Sequence, residues 1–281
     1  MAAEQRSAPR ADFAWGARTY LMGIVNMTPD SFSGDGLAGR AEAALARGRR
    51  MVADGADVLD VGGQSTRPGH REVGVEEELD RVMSVLPALV AESGVPVSVD
   101  SYRAEVVAAA LQAGAAIVND VWGLKREPRL AELAAGHGAL LVLMHNQDGT
   151  DYAGDVVAAV IDSLRRSVDG ALAAGVQRDR LLVDPGIGFG KTPAHNLALL
   201  RRLGELRGLG LPVLLGTSRK STIGLVLDLP VEDRLEGTAA TVALGVAGGA
   251  DMVRVHDVRE MARVVRMADA VVRGNSPLER P

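Results

Sequence analysis

Leu181-Leu-Val183 is a short apolar run that delivers a carboxylate, Asp184, into a glycine-rich turn, Pro185-Gly-Ile-Gly-Phe-Gly-Lys191. Pro185 ends the run because it fixes φ and has no N–H to give a neighbour. Gly186, Gly188 and Gly190 allow backbone N–H groups to approach a ligand closely. Thr192-Pro193 suits an N-cap and a first helical position. The order is therefore strand, acid, glycine turn, helix. A phosphate-binding P-loop needs glycine five residues before its Gly-Lys-Thr, and Pro185 stands there. The dinucleotide fingerprint needs G-x-G-x-x-G, whereas this spacing is G-x-G-x-G.

The same grammar recurs. Asn26, Asp60, Asp100, Asn119, His145, Asp184, Ser218-Arg219-Lys220 and Arg254-Val255-His256 each stand at or just past a short apolar run. One such residue alone reads as a loop cap; a complete series in register reads as the face of a site. Asp100, Asn119 and Asp184 are acceptors suited to the adjacent N–H donors of an amino-pyrimidine type ring. Lys220, Arg254, His256 and Arg67 are donors suited to phosphate or pyrophosphate. Asn26 offers a neutral oxygen to Mg²⁺, which takes few protein ligands and leans on substrate phosphates. No side-chain nucleophile stands out, since Ser218 lacks a G-x-S-x-G elbow and the histidines form no H-E-x-x-H.

A (β/α)₈ barrel would bring these residues together. Strand-like runs at 20–25, 58–61, 95–99, 116–118, 140–144, 181–183, 212–215 and 252–255 alternate with helix-like segments. The helices read as 40–54, 75–92, 104–113, 128–135, 155–174, 193–206, 221–227, 237–247 and 258–272. Gly55, Gly114, Gly138, Gly175 and Gly249 recur between a helix and the next strand, as C′ caps would. We expect an α/β fold, a single TIM barrel over 13–273, with a small hairpin at 13–19 plugging one end and tails at 1–12 and 274–281. A doubly wound open sheet is the runner-up.

The bulk numbers narrow the function. With 3% aromatic residues and a net charge of −5, the 281-residue chain has neither base-stacking platforms nor a general attraction to nucleic acid. It has no cysteine, which excludes thiolate chemistry and disulfides and fits a cytoplasmic protein. The first residues lack the apolar core of a signal peptide, and no run approaches a membrane span.

Asn26-Met-Thr-Pro-Asp-Ser-Phe-Ser33, Asp60-Val-Gly-Gly-Gln-Ser-Thr-Arg-Pro-Gly69, Val97-Ser-Val-Asp100, Asn119-Asp120, Asp184 to Lys191, Ser218-Arg-Lys220 and Arg254-Val-His-Asp-Val258 resemble dihydropteroate synthase from about Leu21 to Val272. The resemblance implies a homodimeric, Mg²⁺-dependent barrel enzyme of folate biosynthesis. Its substrates are 6-hydroxymethyl-7,8-dihydropterin pyrophosphate and p-aminobenzoate, and sulfonamides compete with the latter. By position it implies that Asp100, Asn119, Met144, Asp184, Phe189, Gly216, Lys220 and Arg254 meet the pterin. Asn26, Thr66, Arg67, Arg254 and His256 would meet the pyrophosphate, with Asn26 on the metal. Thr66, Pro68, Phe189, Lys220 and Ser221 would frame p-aminobenzoate, and Asp100, Lys220, Arg254 and His256 would carry the chemistry. Val121 would be an apolar wall, and the glycine-rich loops after the first two strands would be lids.

Some positions depart from the family pattern. Ser33-Gly-Asp-Gly36 replaces Ser-Asp-Gly-Gly, Gln64 stands where glutamate is usual, and no methionine follows His145. None of these is expected to touch the pterin-facing set. The alternatives are a pterin-binding methyltransferase, which would need neither Ser218-Arg-Lys220 nor the pyrophosphate set, and a silent pterin-binding homologue.

Overall fold

Runs such as Leu140–Met144 and Val58–Gly62 are buried at every residue. That is the signature of parallel strands covered on both faces. The computed structural model describes residues 11–27, 36–64 and 73–274, with the side chains of 36–39 left aside. Its strands are β1 (Tyr20–Asn26), β2 (Val58–Gly62), β3 (Val97–Asp100), β4 (Ile117–Asp120), β5 (Leu140–Met144), β6 (Leu181–Asp184), β7 (Leu214–Leu215) and β8 (Met252–Val255). They pair in parallel in the order β6-β5-β4-β3-β2-β1-β8-β7. A single bridge, Val183 to Val213, joins the outer strands and nearly closes the barrel.

Among the described residues ten α-helices lie between and after the strands: α1 (Gly36–Ala53), α2 (Val75–Met83), α3 (Leu86–Glu92), α4 (Ala104–Gln112), α5 (Arg129–His137), α6 (Val156–Ala173), α7 (Pro193–Arg201), α8 (Ser221–Leu227), α9 (Leu235–Ala247) and α10 (Val258–Arg273). The expected helix at 75–92 is two helices. Pro87 sits in the first turn of α3, where its ring and missing N–H forbid a continuous ladder. The expected helix at 193–206 ends as α7 at Arg201 and continues as a 3₁₀ segment, Leu203–Leu209, which contains Gly204 and Gly208. The five recurrent glycines between helix and strand all have positive φ, from 61° to 106°. Thr192 caps α7 as its sequence suggests, accepting from the His195 amide at 3.2 Å.

Alternation along the strands sorts the side chains into two environments. Met22, Val58, Ile117, Leu140, Val142, Leu182, Leu214 and Met252 form one cluster, the floor of the barrel. Leu21, Leu59, Val99, Val118, Leu141, Val183, Leu215 and Val253 face outward and pack in a larger cluster with the helices. Two residues past Val58, Ile117, Leu182 and Met252 on the same face stand Asp60, Asn119, Asp184 and Arg254, so the period that fills the floor also sets the polar layer above it.

The segment at 13–19 does not form the expected hairpin. It makes a turn at Gly16 (φ 83°), closed by Ala17 N–H on Ala14 O at 3.1 Å. The Ala14 amide, which a strand ladder would use, donates instead to Tyr20 Oη at 2.9 Å. Phe13, Trp15 and Tyr20 meet in tilted and edge-to-face pairs with ring centroids 4.7 to 5.5 Å apart and pack with the floor. Ala11, expected in the tail, is buried there, and its carbonyl accepts from Arg180 at 3.1 Å. Residues 1–10 and 275–281, the rest of the expected tails, lie outside the described residues.

Candidate active site

The deepest polar layer is organised by Arg254, which β8 points inward. Its Nε donates to Asp60 Oδ2 and its Nη2 to Asp100 Oδ2, each at 2.6 Å. Asn119 Nδ2 donates to the same Asp60 oxygen at 3.1 Å, which leaves Asn119 Oδ1 as the acceptor. The second carboxylate oxygens of Asp60 and Asp100 have no hydrogen-bond partner among the described residues. Burial pushes the Asp100 carboxyl up to about 7, against the pull of Arg254. Burial works against the charge of Arg254, but Asp60 and Asp100 outweigh it and hold the guanidinium firmly protonated. Asp184, at the end of β6, is pushed up to about 6 by burial, opposed by its bond to the Gly186 amide at 2.7 Å.

The glycine turn after β6 has a purpose other than the one its sequence suggests. The Gly186 amide is bound by Asp184 and the Gly188 amide by Asn196 Oδ1 at 2.9 Å, so neither is offered to a ligand. The glycines serve close packing. Gly186 has φ 69°, and a Cβ there would lie 1.9 Å from the His145 carbonyl oxygen. Lys191 turns inward beneath the loop. Its Nζ lies 2.8 Å from His145 Nδ1, 2.9 Å from Phe189 O and 3.0 Å from Gly186 O. Burial pulls Lys191 down to about 7 and His145 down to about 3. His145 therefore meets the lysine as a neutral ring.

The opposite wall is cationic. Lys220 Nζ stands 4.0 Å from the centre of the Phe189 ring, within cation–π range. Ser218 Oγ accepts the His256 amide at 3.1 Å and meets His256 Nδ1 at 3.0 Å, which fixes the imidazole. Arg219 carries a positive φ of 57° and forks onto Asp257 through Nε and Nη2. Arg234 donates to the Arg219 carbonyl at 3.0 Å and to that of Leu229, bracing α8 at both ends.

These walls enclose a cleft of about 320 Å³ at the C-terminal end of the strands, the face that carries the site in such barrels. Asn26, Asp100, Asn119, Met144, Asp184, Phe189, Gly216, Lys220, Ser221, Arg254 and His256 all line it, as does Val121. Thr66, Arg67 and Pro68 lie outside the described residues, as does most of the expected lids. Two strand-end residues stand elsewhere. His145 is buried under the glycine turn, and Asp60 lies behind the cleft, fully buried, where it holds Arg254 and Asn119. Gln64, one of the positions that depart from the family pattern, lines the cleft too; so do Ile24, Ile187, Val231 and Arg234, which are not among the site residues expected from the sequence. Ile24 follows from strand parity with Met22, whereas Val231 and Arg234 arrive through a loop with no periodic signal. Among the described residues no group of three or more His, Cys, Asp or Glu is arranged to hold a metal.

The residue pattern of the family described as "Pterin binding enzyme" matches residues 22–256. The chain belongs to the dihydropteroate synthases within that family. It is 49% identical over 255 residues to the dihydropteroate synthase of Bacillus subtilis (strain 168), covering 91% of this chain and 89% of that one. A crystal structure of the Clostridium difficile dihydropteroate synthase, determined in the presence of pteroic acid, superposes with a TM-score of 0.91 at 47% identity and covers 93% of this chain and all of that one. The Xanthomonas albilineans dihydropteroate synthase in complex with 7,8-dihydropteroate gives a TM-score of 0.84 at 42% identity, covering 92% and 95%. The chain is thus a transferase of the (β/α)₈ class. No helix among the described residues is long and apolar enough to cross a membrane.

Proposed function

We propose that this cleft joins 6-hydroxymethyl-7,8-dihydropterin pyrophosphate to p-aminobenzoate, releasing pyrophosphate and giving 7,8-dihydropteroate. The observation that carries the reading is that one cleft is lined both by acceptors (Asp100, Asn119, Asp184) and by donors suited to phosphate (Lys220, Arg254, His256). The acceptors take the N–H donors of the pterin, whose ring lies between Met144, Gly216 and Arg254. Asn26, Arg254 and His256 face the pyrophosphate, joined by Thr66 and Arg67. Phe189, Ser221, Lys220, Thr66 and Pro68 frame the arylamine.

The C–O bond to pyrophosphate breaks first, and the leaving group departs with the electron pair. Arg254 and His256 receive its growing charge, help of a kind often worth several kcal/mol. The carboxylates of Asp100 and Asp184 favour the resonance-stabilised pterin methyl cation left behind. The arylamine nitrogen attacks that carbon and sheds one proton. Asn26 suits an ion that arrives with its phosphate ligands, and Mg²⁺, when bound, adds positive charge against the pyrophosphate. A chain without cysteine suits work in the cytoplasm.

Purified protein with Mg²⁺ should form dihydropteroate from the two substrates. No turnover while the pterin pyrophosphate still binds would point to a silent homologue instead. Transfer of a methyl group from a folate to a corrinoid would point to the methyltransferase.

The raised carboxyls predict an acid limb. Asp100 at about 7 and Asp184 at about 6 must be ionised to accept from the ring. The acceptor set is complete above both values and is lost as the pH falls through them. The kcat/KM for the pterin substrate should fall accordingly, since that parameter reports the free enzyme. A profile flat between about pH 5 and about pH 8 would contradict the acceptor assignment.

A second copy of the chain suits the outer faces of α8, α9 and α10. Leu225 and Val226 of α8, Leu244 of α9, and Met267 and Val271 of α10 are all more than half exposed. The helices that carry them adjoin one another. Large exposed apolar areas of this kind mark association surfaces. Sedimentation should show a dimer that Leu244→Glu/Val271→Glu converts to monomer; a wild-type monomer at micromolar concentration would remove the proposal.

A further inference from the structure

We infer that Lys191 is a positioning residue: its buried amine head is the hub that fixes the turn after β6, and so sets where Phe189 and Lys220 stand in the cleft. The inference builds on the proposed reading of the cleft for its kinetic test, but not for its structural one.

Lys191 is 8% exposed and does not line the cleft. A buried lysine needs either a carboxylate or a full set of acceptors. Among the described residues it forms no ion pair with an acid. Its three short contacts are to His145 Nδ1, Phe189 O and Gly186 O, at 2.8, 2.9 and 3.0 Å. An ammonium has three protons. In its protonated form it therefore directs all of its donors at the end of β5 and at the turn.

The other polar groups of the turn are held from outside. Asp184 holds the Gly186 amide, Asn196 the Gly188 amide, and Tyr152 Oη the Gly190 carbonyl at 2.8 Å. Within the turn the Phe189 amide donates to the Gly186 carbonyl at 3.1 Å, and Lys191 adds a bond to that same carbonyl and one to the carbonyl of Phe189 itself. The Phe189 ring in turn receives the Lys220 head at 4.0 Å. The path runs His145, Lys191, Phe189, Lys220, from a buried strand end to the working wall of the site. A displacement of about 1 Å at such a wall can cost a hundredfold in rate.

The test compares Lys191→Met, which keeps the length and loses the donors, with the wild type and with Lys191→Arg, which keeps the charge. Amide hydrogen exchange at Gly188 and Phe189 should quicken about tenfold or more in Lys191→Met and less in Lys191→Arg. The KM for p-aminobenzoate should rise about tenfold, by more than the pterin dissociation constant does. Unchanged exchange at both amides would overturn the inference whatever the activity. A wild type that does not turn over would sink the reading of the cleft and leave the exchange result to decide this one. Should Lys191→Met fail to fold, Lys191→Ala is assayed with added n-butylammonium and with 1-butanol. Recovery with the amine alone supports the hub, and equal recovery with both refutes it.

Discussion

Arg254→Met is expected to lower stability by about 3–5 kcal/mol as well as to abolish turnover. The guanidinium holds two buried carboxylates, Asp60 and Asp100, each at 2.6 Å. Removing it leaves both acids inside the barrel with no cation between them. The loss comes from the stranded partners more than from the bond itself. The discriminating experiment is therefore a double replacement. Asp60→Asn/Arg254→Met should regain part of the lost stability in urea titration, because one of the stranded charges is gone. It should regain no activity, because the leaving group still lacks its cation. A single variant as stable as wild type would show that the three groups are not coupled as the geometry requires.

Asp184→Asn should act on binding rather than on folding. Asparagine can still accept the Gly186 amide through its Oδ1, so the turn stays in place. What it loses is the negative charge offered to the ring, and one of its two acceptor oxygens becomes a donor. A hydrogen bond to a charged group is worth roughly 1.5–3 kcal/mol, so the pterin affinity should fall by about tenfold to about a hundredfold. Calorimetry with the pterin pyrophosphate measures this directly. An affinity within about threefold of wild type would take Asp184 out of the pterin set.

Much of this could be read from the chain alone, because parallel strands and barrel faces obey short-range rules. Short buried runs mark strands, glycine marks the turn from helix to strand, and the residue that follows a run marks the site face. Those rules placed Asn26, Asp100, Asn119, Asp184, Lys220, Arg254 and His256 together before any coordinates. They failed where a side chain's direction depends on a distant partner. His145 obeys the strand-end rule but is drawn beneath the loop by Lys191, which is separated from it by 46 residues. Asp60 obeys it too, yet its burial makes it a support for Arg254, 194 residues away. The glycine turn reads as offering its amides to a ligand because sequence reveals the glycines and not the acceptors, Asp184 and Asn196, that occupy two of their amides. The break between α2 and α3 was visible in Pro87 and was passed over because the apolar period continues across it.

On the proposed reading of the cleft, the apolar floor beneath the polar layer bears on how one ring is told from another. Met22, Leu140, Leu182 and their neighbours close the barrel from below, so solvent cannot reach Asp100 or Asn119 by that route. A planar heterocycle lacking one donor would leave a buried acceptor unmet, and sites built in this way reject such analogues far more sharply than a greasy slot rejects a missing methylene. The discrimination is therefore exclusion by unmet demand, and inhibitors that mimic only the outline of the natural ring will pay heavily for each donor they omit.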